Sequence, residues 1–142
     1  MERIDQLLKK KSRQIWSISP DASVYEAIEL MSFKEIGSLM VLQDSILVGV
    51  LSERDYARNV ILKGRSSRDT RVGDIMMTKI VYARSDQTVE ECMEIMTEER
   101  VRHLPVMDGD RLLGVVSIGD LVKAVISEQQ FMIRQLEQYI SG

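Results

Sequence analysis

Two serine–aspartate pairs carry the strongest chemical signal in this chain of 142 residues. Ser52 and Asp55 close the stretch GVLSERD, and Ser117 and Asp120 close GVVSIGD, 65 positions later. Each pair follows a Gly-containing apolar run and precedes residues able to start a helix. At such a junction the first helical N–H groups and the helix dipole favour an anion, and a serine hydroxyl can bond a phosphate. An aspartate three residues on can accept two hydrogen bonds from a vicinal diol such as that of ribose. Gly49 and Gly114 are expected to keep the strand slim, so that a ligand can approach the backbone. A plainer reading has each serine cap its helix and each aspartate complement the dipole with no ligand. The doubling weighs toward a ligand.

Other reactive residues point away from catalysis. His103 is the only histidine and Cys92 the only cysteine. No nucleophile-elbow pattern or ligand cluster accompanies them, so neither an enzyme nor a metal site is expected. His103 reads either as a phosphate or adenine contact or as a packed strand residue. Cys92 lies on an apolar helical stripe and reads as core, and Trp16 as core or as a stacking surface for a base. Glu90, Glu91, Glu98 and Glu99 read as solvated helix charges. Lys63, Arg65, Arg68 and Arg71 read as a solvated loop, with phosphate contact as the sharper alternative.

The elements that must hold the Ser–Asp pairs form a duplicated unit. Val24–Asp55 lies on Val89–Asp120 without a gap over 32 residues, with eleven identities. A period of this size is that of a small domain rather than a solenoid repeat. Each half begins with a short apolar segment, Ile15–Ile18 or Ile80–Ala83. Asp21-Ala22-Ser23 and Asp86-Gln87-Thr88 then supply helix caps. Val24, Ala27, Ile28 and Met31 form one helical stripe, repeated by Val89, Cys92, Met93 and Met96. Strands are expected at Ser38–Leu42, Ile46–Leu51, Leu104–Met107 and Leu112–Val116, with hairpin turns at QDS and DGD. A second helix is expected from Glu53 to Leu62 and from Ile118 onward. The fold class is α/β (α+β), and the two halves are expected to pack about a pseudo-twofold axis.

This pattern resembles a tandem pair of cystathionine β-synthase (CBS) domains, a Bateman module. The repeat carries the resemblance, together with IGSLMV and RVRHLPVMD as central strands, the closing GVLSERD and GVVSIGD, and Met77-Thr78 opening the second half. It covers Ile15 to Ile126. Expected boundaries are an N-terminal helical extension at 1–14, CBS motif 1 at 15–62, a linker at 63–76, CBS motif 2 at 77–126 and a C-terminal helical tail at 127–142. The resemblance implies binding of AMP, ADP, ATP, NAD(H) or S-adenosylmethionine in clefts that mix the motifs, AMP or NAD(H) leading, with no catalysis. One cleft would use Ile15, Trp16, Ile36, Gly37 and Ser38 with Ser117 and Asp120. The other would use Lys79, Ile80, Val81, Val101, Arg102 and His103 with Ser52, Arg54 and Asp55. The second gathers more cations and is expected to take the more phosphorylated group. The alternative is an interaction scaffold with vestigial clefts.

Net charge is −3, so no bias toward nucleic acid or an anionic membrane is expected. A lone cysteine fits a reducing compartment, and the polar N-terminus does not read as a signal peptide. A cytoplasmic location is expected. A stripe from Val122 through Ile126, Met132, Ile133 and Leu136 to Ile140 continues the last helix past the motif and needs a partner, either its own domain or the same helix from a second copy. The resemblance implies a homodimer formed through helices. With the length taken up by the module, the output is expected to act on a separate protein.

Overall fold

The computed structural model describes residues 2–11 and 15–141. The last three residues of the expected N-terminal extension, 12–14, lie outside the described residues, as does the final glycine. The chain divides into two compact units, one formed by Gln14–Ile80 and the other by Met1–Arg13 with Val81–Gly142.

Each unit holds the same three-stranded sheet. In Gln14–Ile80 the order is β1 (Ser17–Ile18), β2 (Ser38–Gln43), β3 (Ile46–Ser52); in the other unit it is β4 (Ala83–Arg84), β5 (His103–Asp108), β6 (Arg111–Ser117). The first strand runs parallel to the central one and the third antiparallel to it. Both hairpins shift register at the same repeat position, Val41/Leu42 and Val106/Met107. Their two-residue turns differ. Asp44 and Ser45 both have positive φ, 51° and 68°, the type I′ pattern. In the other hairpin only Gly109 does, at 60°.

Among the described residues five α-helices precede the long C-terminal one. They are α1 (Ile4–Lys10), α2 (Val24–Lys34), α3 (Glu53–Tyr56), α4 (Val72–Ile75) and α5 (Val89–Glu99). Ser23 and Thr88 cap α2 and α5 through bonds from Glu26 and Glu91 N–H, as their spacing predicts. Each of these helices ends on a left-handed residue, Glu35 or Arg100, at φ 56°. Val24, Ala27 and Met31 bury against Leu39, Val41 and Leu51 in one core, and Val89, Cys92 and Met96 against Leu104, Val106 and Val116 in the other. Burial pushes the Cys92 thiol up to about 11, consistent with its reading as core. The helix expected over Glu53–Leu62 is α only through Tyr56; Ala57–Ile61 continue it as a π-helix.

The stretch expected as a linker is built into the first unit. Its carbonyls at Ser67 and Thr70 accept from the Tyr25 and Val24 amides, at 2.9 and 2.8 Å. Those amides open α2 and have no intrahelical acceptor, so a neighbouring strand of chain must supply one. Val72 and Ile75 of α4 are buried in the core beside Val24 and Val60. Of the basic residues there, Arg68 lies 4.0 Å over the Tyr25 ring and Arg71 stands 3.9 Å from Asp21.

The N-terminal helix makes the matching contacts in the other unit. Ile4 N–H donates to Gln87 O and Asp5 N–H to Ser85 O, just as Val72 donates to Ala22 O and Gly73 to Pro20 O. Ile4 and Leu8 are buried with Val89 and Val106. The segment before each motif therefore folds with the other motif. Ile4 corresponds to Val72, Leu8 to Met76 and Lys11 to Lys79, an offset of 68 against 65 within the motifs.

Candidate functional site

Both Ser–Asp pairs sit where the last strand of their sheet turns into a helix. Asp55 Oδ2 accepts from Ser52 N–H and Ser52 Oγ, each at 2.9 Å, and Ser52 Oγ accepts from Asp55 N–H at 3.1 Å. Asp120 Oδ2 accepts from Ser117 N–H at 2.8 Å, and Ser117 Oγ accepts from Asp120 N–H at 3.1 Å. These are reciprocal capping boxes. They fix the carboxylate rotamers, and each is made through one oxygen, Oδ2.

The start of each central strand lies beside the same pair. Ser38 and Ser52 are cross-strand partners, as are His103 and Ser117. Gly37 O accepts from Glu53 N–H at 3.0 Å, and Arg102 O from Ile118 N–H at 2.9 Å. This changes the expectation for the helix starts. In the first turn at Glu53–Asp55, two of three amides already have partners, the Gly37 carbonyl and the Ser52 hydroxyl. The donors expected to face an anion are largely used within the protein.

Gly49 and Gly114 also answer to packing rather than to a ligand. A Cβ on Gly49 would stand 2.5 Å from Met76 Sδ and 3.1 Å from Met77 O; one on Gly114 would stand 2.9 Å from Leu8 Cδ2. The slim strand makes room for the segment preceding the opposite motif.

Lys11 breaks the symmetry. Its Nζ lies 2.5 Å from Asp120 Oδ2 and 2.9 Å from Val115 O. Burial raises the Asp120 pKa, but the Lys11 and Ser117 hydrogen bonds outweigh it and hold the carboxyl below its usual range. Beside the pair is a groove of about 220 Å³ lined by Leu7, Lys11, Asp120 and Lys123 among others. Desolvation, then the Lys11 charge, lowers the His103 imidazole, with Asp120 opposing and Arg102 adding to Lys11. At Asp55, among the described residues, no cation lies within ion-pair distance. The counterpart Lys79 is exposed.

The remaining site residues divide between the units. Ile15, Trp16, Ile36, Gly37, Ser38, Ser52, Arg54, Asp55, Lys79 and Ile80 belong to one; Val81, Val101, Arg102, His103, Ser117 and Asp120 belong to the other. Trp16 is half-buried against the first core and carries Lys34 Nζ 4.1 Å above its ring. Arg54, Arg102 and His103 are exposed, and Ile15, Ile36, Ile80, Val81 and Val101 half-buried.

The sequence reading missed Lys11. The signal was present: helix α1 ends in KKK, and Lys11 matches Lys79 once the offset becomes 68. Comparing the halves at the single offset of 65 hides that match.

A duplicated three-stranded unit with a Ser–Asp box at the end of its last strand defines a tandem domain pair of one family. The CBS domain model matches residues 8–61 and 72–127, and the chain belongs to that family. It is 36% identical to the CBS domain-containing protein CBSX3, mitochondrial, of Arabidopsis thaliana, over 98% of this chain and 72% of that protein. A putative signal-transduction protein with CBS domains from Burkholderia ambifaria superposes with TM-score 0.82 at 48% identity, covering 89% of this chain and 96% of that one. The CBS domain pair of protein MJ0100, solved in complex with 5′-methylthioadenosine and S-adenosyl-L-methionine, shares the fold at TM-score 0.76 and 19% identity, covering 90% and 98%.

Proposed function

We propose that this CBS pair is a regulatory module, not an enzyme, that binds an adenosine-containing nucleotide. AMP or NAD(H) are the leading ligands, with ATP and S-adenosylmethionine next. The observation that carries this reading is the doubled box. Ser52–Asp55 and Ser117–Asp120 hold two carboxylates in matched rotamers at matched strand ends, each box closed through one oxygen. A carboxylate so fixed is suited to a vicinal diol. The adenosine ligands of the MJ0100 pair support the same class of ligand. The nucleotide would lie in clefts that draw on both motifs and favour one arrangement of them by its differential affinity. The readout would pass to a separate protein partner, from a homodimer in the cytoplasm. Among the described residues no helix is long and apolar enough to cross a membrane.

The Lys11–Asp120 ion pair favours the vestigial reading at one of the two sites. A nucleotide there must displace Lys11 from Asp120. Asp55 has no such competitor among the described residues, so it is proposed as the primary ribose contact.

A thermal-shift panel with AMP, ADP, ATP, NAD, NADH and S-adenosylmethionine tests the proposal. Binding at 100 times Kd stabilises by about 2.7 kcal/mol, a shift of several degrees for a chain of this size. No shift with any of them, at millimolar concentration, favours the scaffold reading.

A further inference from the structure

The two capping boxes differ in one donor. On Asp55, Oδ2 accepts from Ser52 N–H and from the Ser52 hydroxyl, both at 2.9 Å. On Asp120, Oδ2 accepts from Ser117 N–H at 2.8 Å, and its second donor is the Lys11 ammonium at 2.5 Å. Lys11 thus stands on Asp120 where the Ser52 hydroxyl stands on Asp55. A carboxylate oxygen has two lone pairs, so Oδ2 is filled in both boxes. A diol that reaches both oxygens of either carboxylate has to displace the second donor.

The two donors do not leave equally easily. A serine hydroxyl is neutral and rotates to donate elsewhere, to an incoming ligand included. An ammonium is charged, and moving it off a half-buried carboxylate breaks a charge-assisted bond. Lys11 is also anchored a second time, since its Nζ donates to Val115 O at 2.9 Å. The equivalent carbonyl of the first motif, Val50 O, takes the Met77 N–H at 2.9 Å instead. The lysine side chain therefore fills a place on the second sheet that backbone fills on the first. Its own backbone closes α1, a helix docked through buried Ile4 and Leu8.

We propose that Lys11 makes the Asp120 site selective for phosphorylated nucleosides over free nucleosides. The proposal rests on the nucleotide reading above and adds the class of ligand that this one site accepts. A nucleoside brings Asp120 a diol but leaves the displaced ammonium without an anion. A nucleotide supplies one, and Lys11 exchanges a carboxylate for a phosphate. Lys123 lines the same groove and makes no ion pair among the described residues, so a second cation is available to that phosphate. The site is gated rather than lost.

Calorimetry with adenosine and AMP tests the gate in an Asp55→Asn background, which weakens the other site while an amide carbonyl still caps its helix. That protein binds AMP, and adenosine more weakly. Adding Lys11→Met tightens adenosine about fivefold, the equivalent of releasing a partly solvated ion pair, and reduces the preference for AMP by at least as much. Lys11→Arg keeps the preference. In an Asp120→Asn background Lys11→Met changes neither affinity. Far-ultraviolet spectra should not move, since Lys11 is partly exposed and methionine retains its aliphatic stem. Adenosine affinity unchanged by Lys11→Met, an equal change in the Asp120→Asn protein, or complete loss of AMP binding in Asp55→Asn would overturn the gate and leave the nucleotide reading standing. Failure of the wild type and every variant to bind either ligand would overturn both.

Discussion

Lys11 Nζ lies 2.5 Å from Asp120 Oδ2, while the equivalent aspartate, Asp55, has no cation within reach among the described residues. One residue outside the recognisable repeat thus makes two matched boxes unequal. Lys11→Met removes the cation and leaves Asp120 half-buried. The pair is partly solvated, so the loss of stability is about 1 kcal/mol or less. A sharper readout is the single histidine. Without Lys11, and with Asp120 unpaired, the His103 pKa rises, and its C2 proton in an NMR titration reports this directly. An unmoved titration would mean that the ion pair does not form in solution.

Acid stability follows from the same groups. The His103 pKa is lowered in the folded state, so the unfolded chain binds its proton first as pH falls through about 6.5. Stability therefore drops below that value. Asp120 is also lowered, and the stability it contributes above the ordinary carboxylate range is lost as pH falls toward its folded-state pKa. Denaturation midpoints measured from pH 7.5 down to 4 should fall, with the first step smaller in His103→Gln. A midpoint that rises on acidification would contradict the arrangement.

Gly49→Ala forces a methyl into Met76 Sδ and against the Met77 carbonyl. Overpacking of this kind costs about 1–3 kcal/mol. Met76→Ala opens space, so the double variant should lose less than the sum of the singles. Gly114→Ala meets only the flexible end of Leu8 and should cost less. Urea unfolding of the four variants decides it; strict additivity would mean that Met76 does not sit over Gly49.

The β2–β3 turn places Ser45 at φ 68°, where a glycine carries no Cβ penalty. Ser45→Gly should raise stability by about 0.5–1 kcal/mol. A lower melting temperature would contradict the type I′ turn.

Much of this architecture was legible in the residues. The stripe Val24, Ala27, Met31 and its copy Val89, Cys92, Met96 bury as their helical spacing demands. Ser23 and Thr88 cap as side-chain oxygens at such positions do. What escaped was long-range. The Gly, Ser and Arg content of 63–71 suggests solvent, and most of those side chains are exposed, yet its backbone carbonyls bond α2, a fact composition does not encode. The partner of Leu8 is Gly114, and that of Lys11 is Asp120, both more than 100 residues away. No local pattern links them. The glycines before each Ser–Asp pair looked like room for a ligand because their real occupants, Met76 and Leu8, arrive from outside the repeat.

The most direct test of nucleotide sensing is titration calorimetry with whichever nucleotide gives the largest thermal shift. Wild type is compared with Asp55→Asn, which keeps the side chain's shape and its carbonyl acceptor, and with Asp55→Ala and Asp120→Ala. Losing a charged hydrogen-bond acceptor costs about 1.5–3 kcal/mol, roughly ten- to a hundredfold in Kd. That loss is predicted for both Asp55 variants, in protein still folded by far-ultraviolet spectroscopy, with a smaller effect at Asp120. Full wild-type affinity in the Asp55 variants would contradict the account.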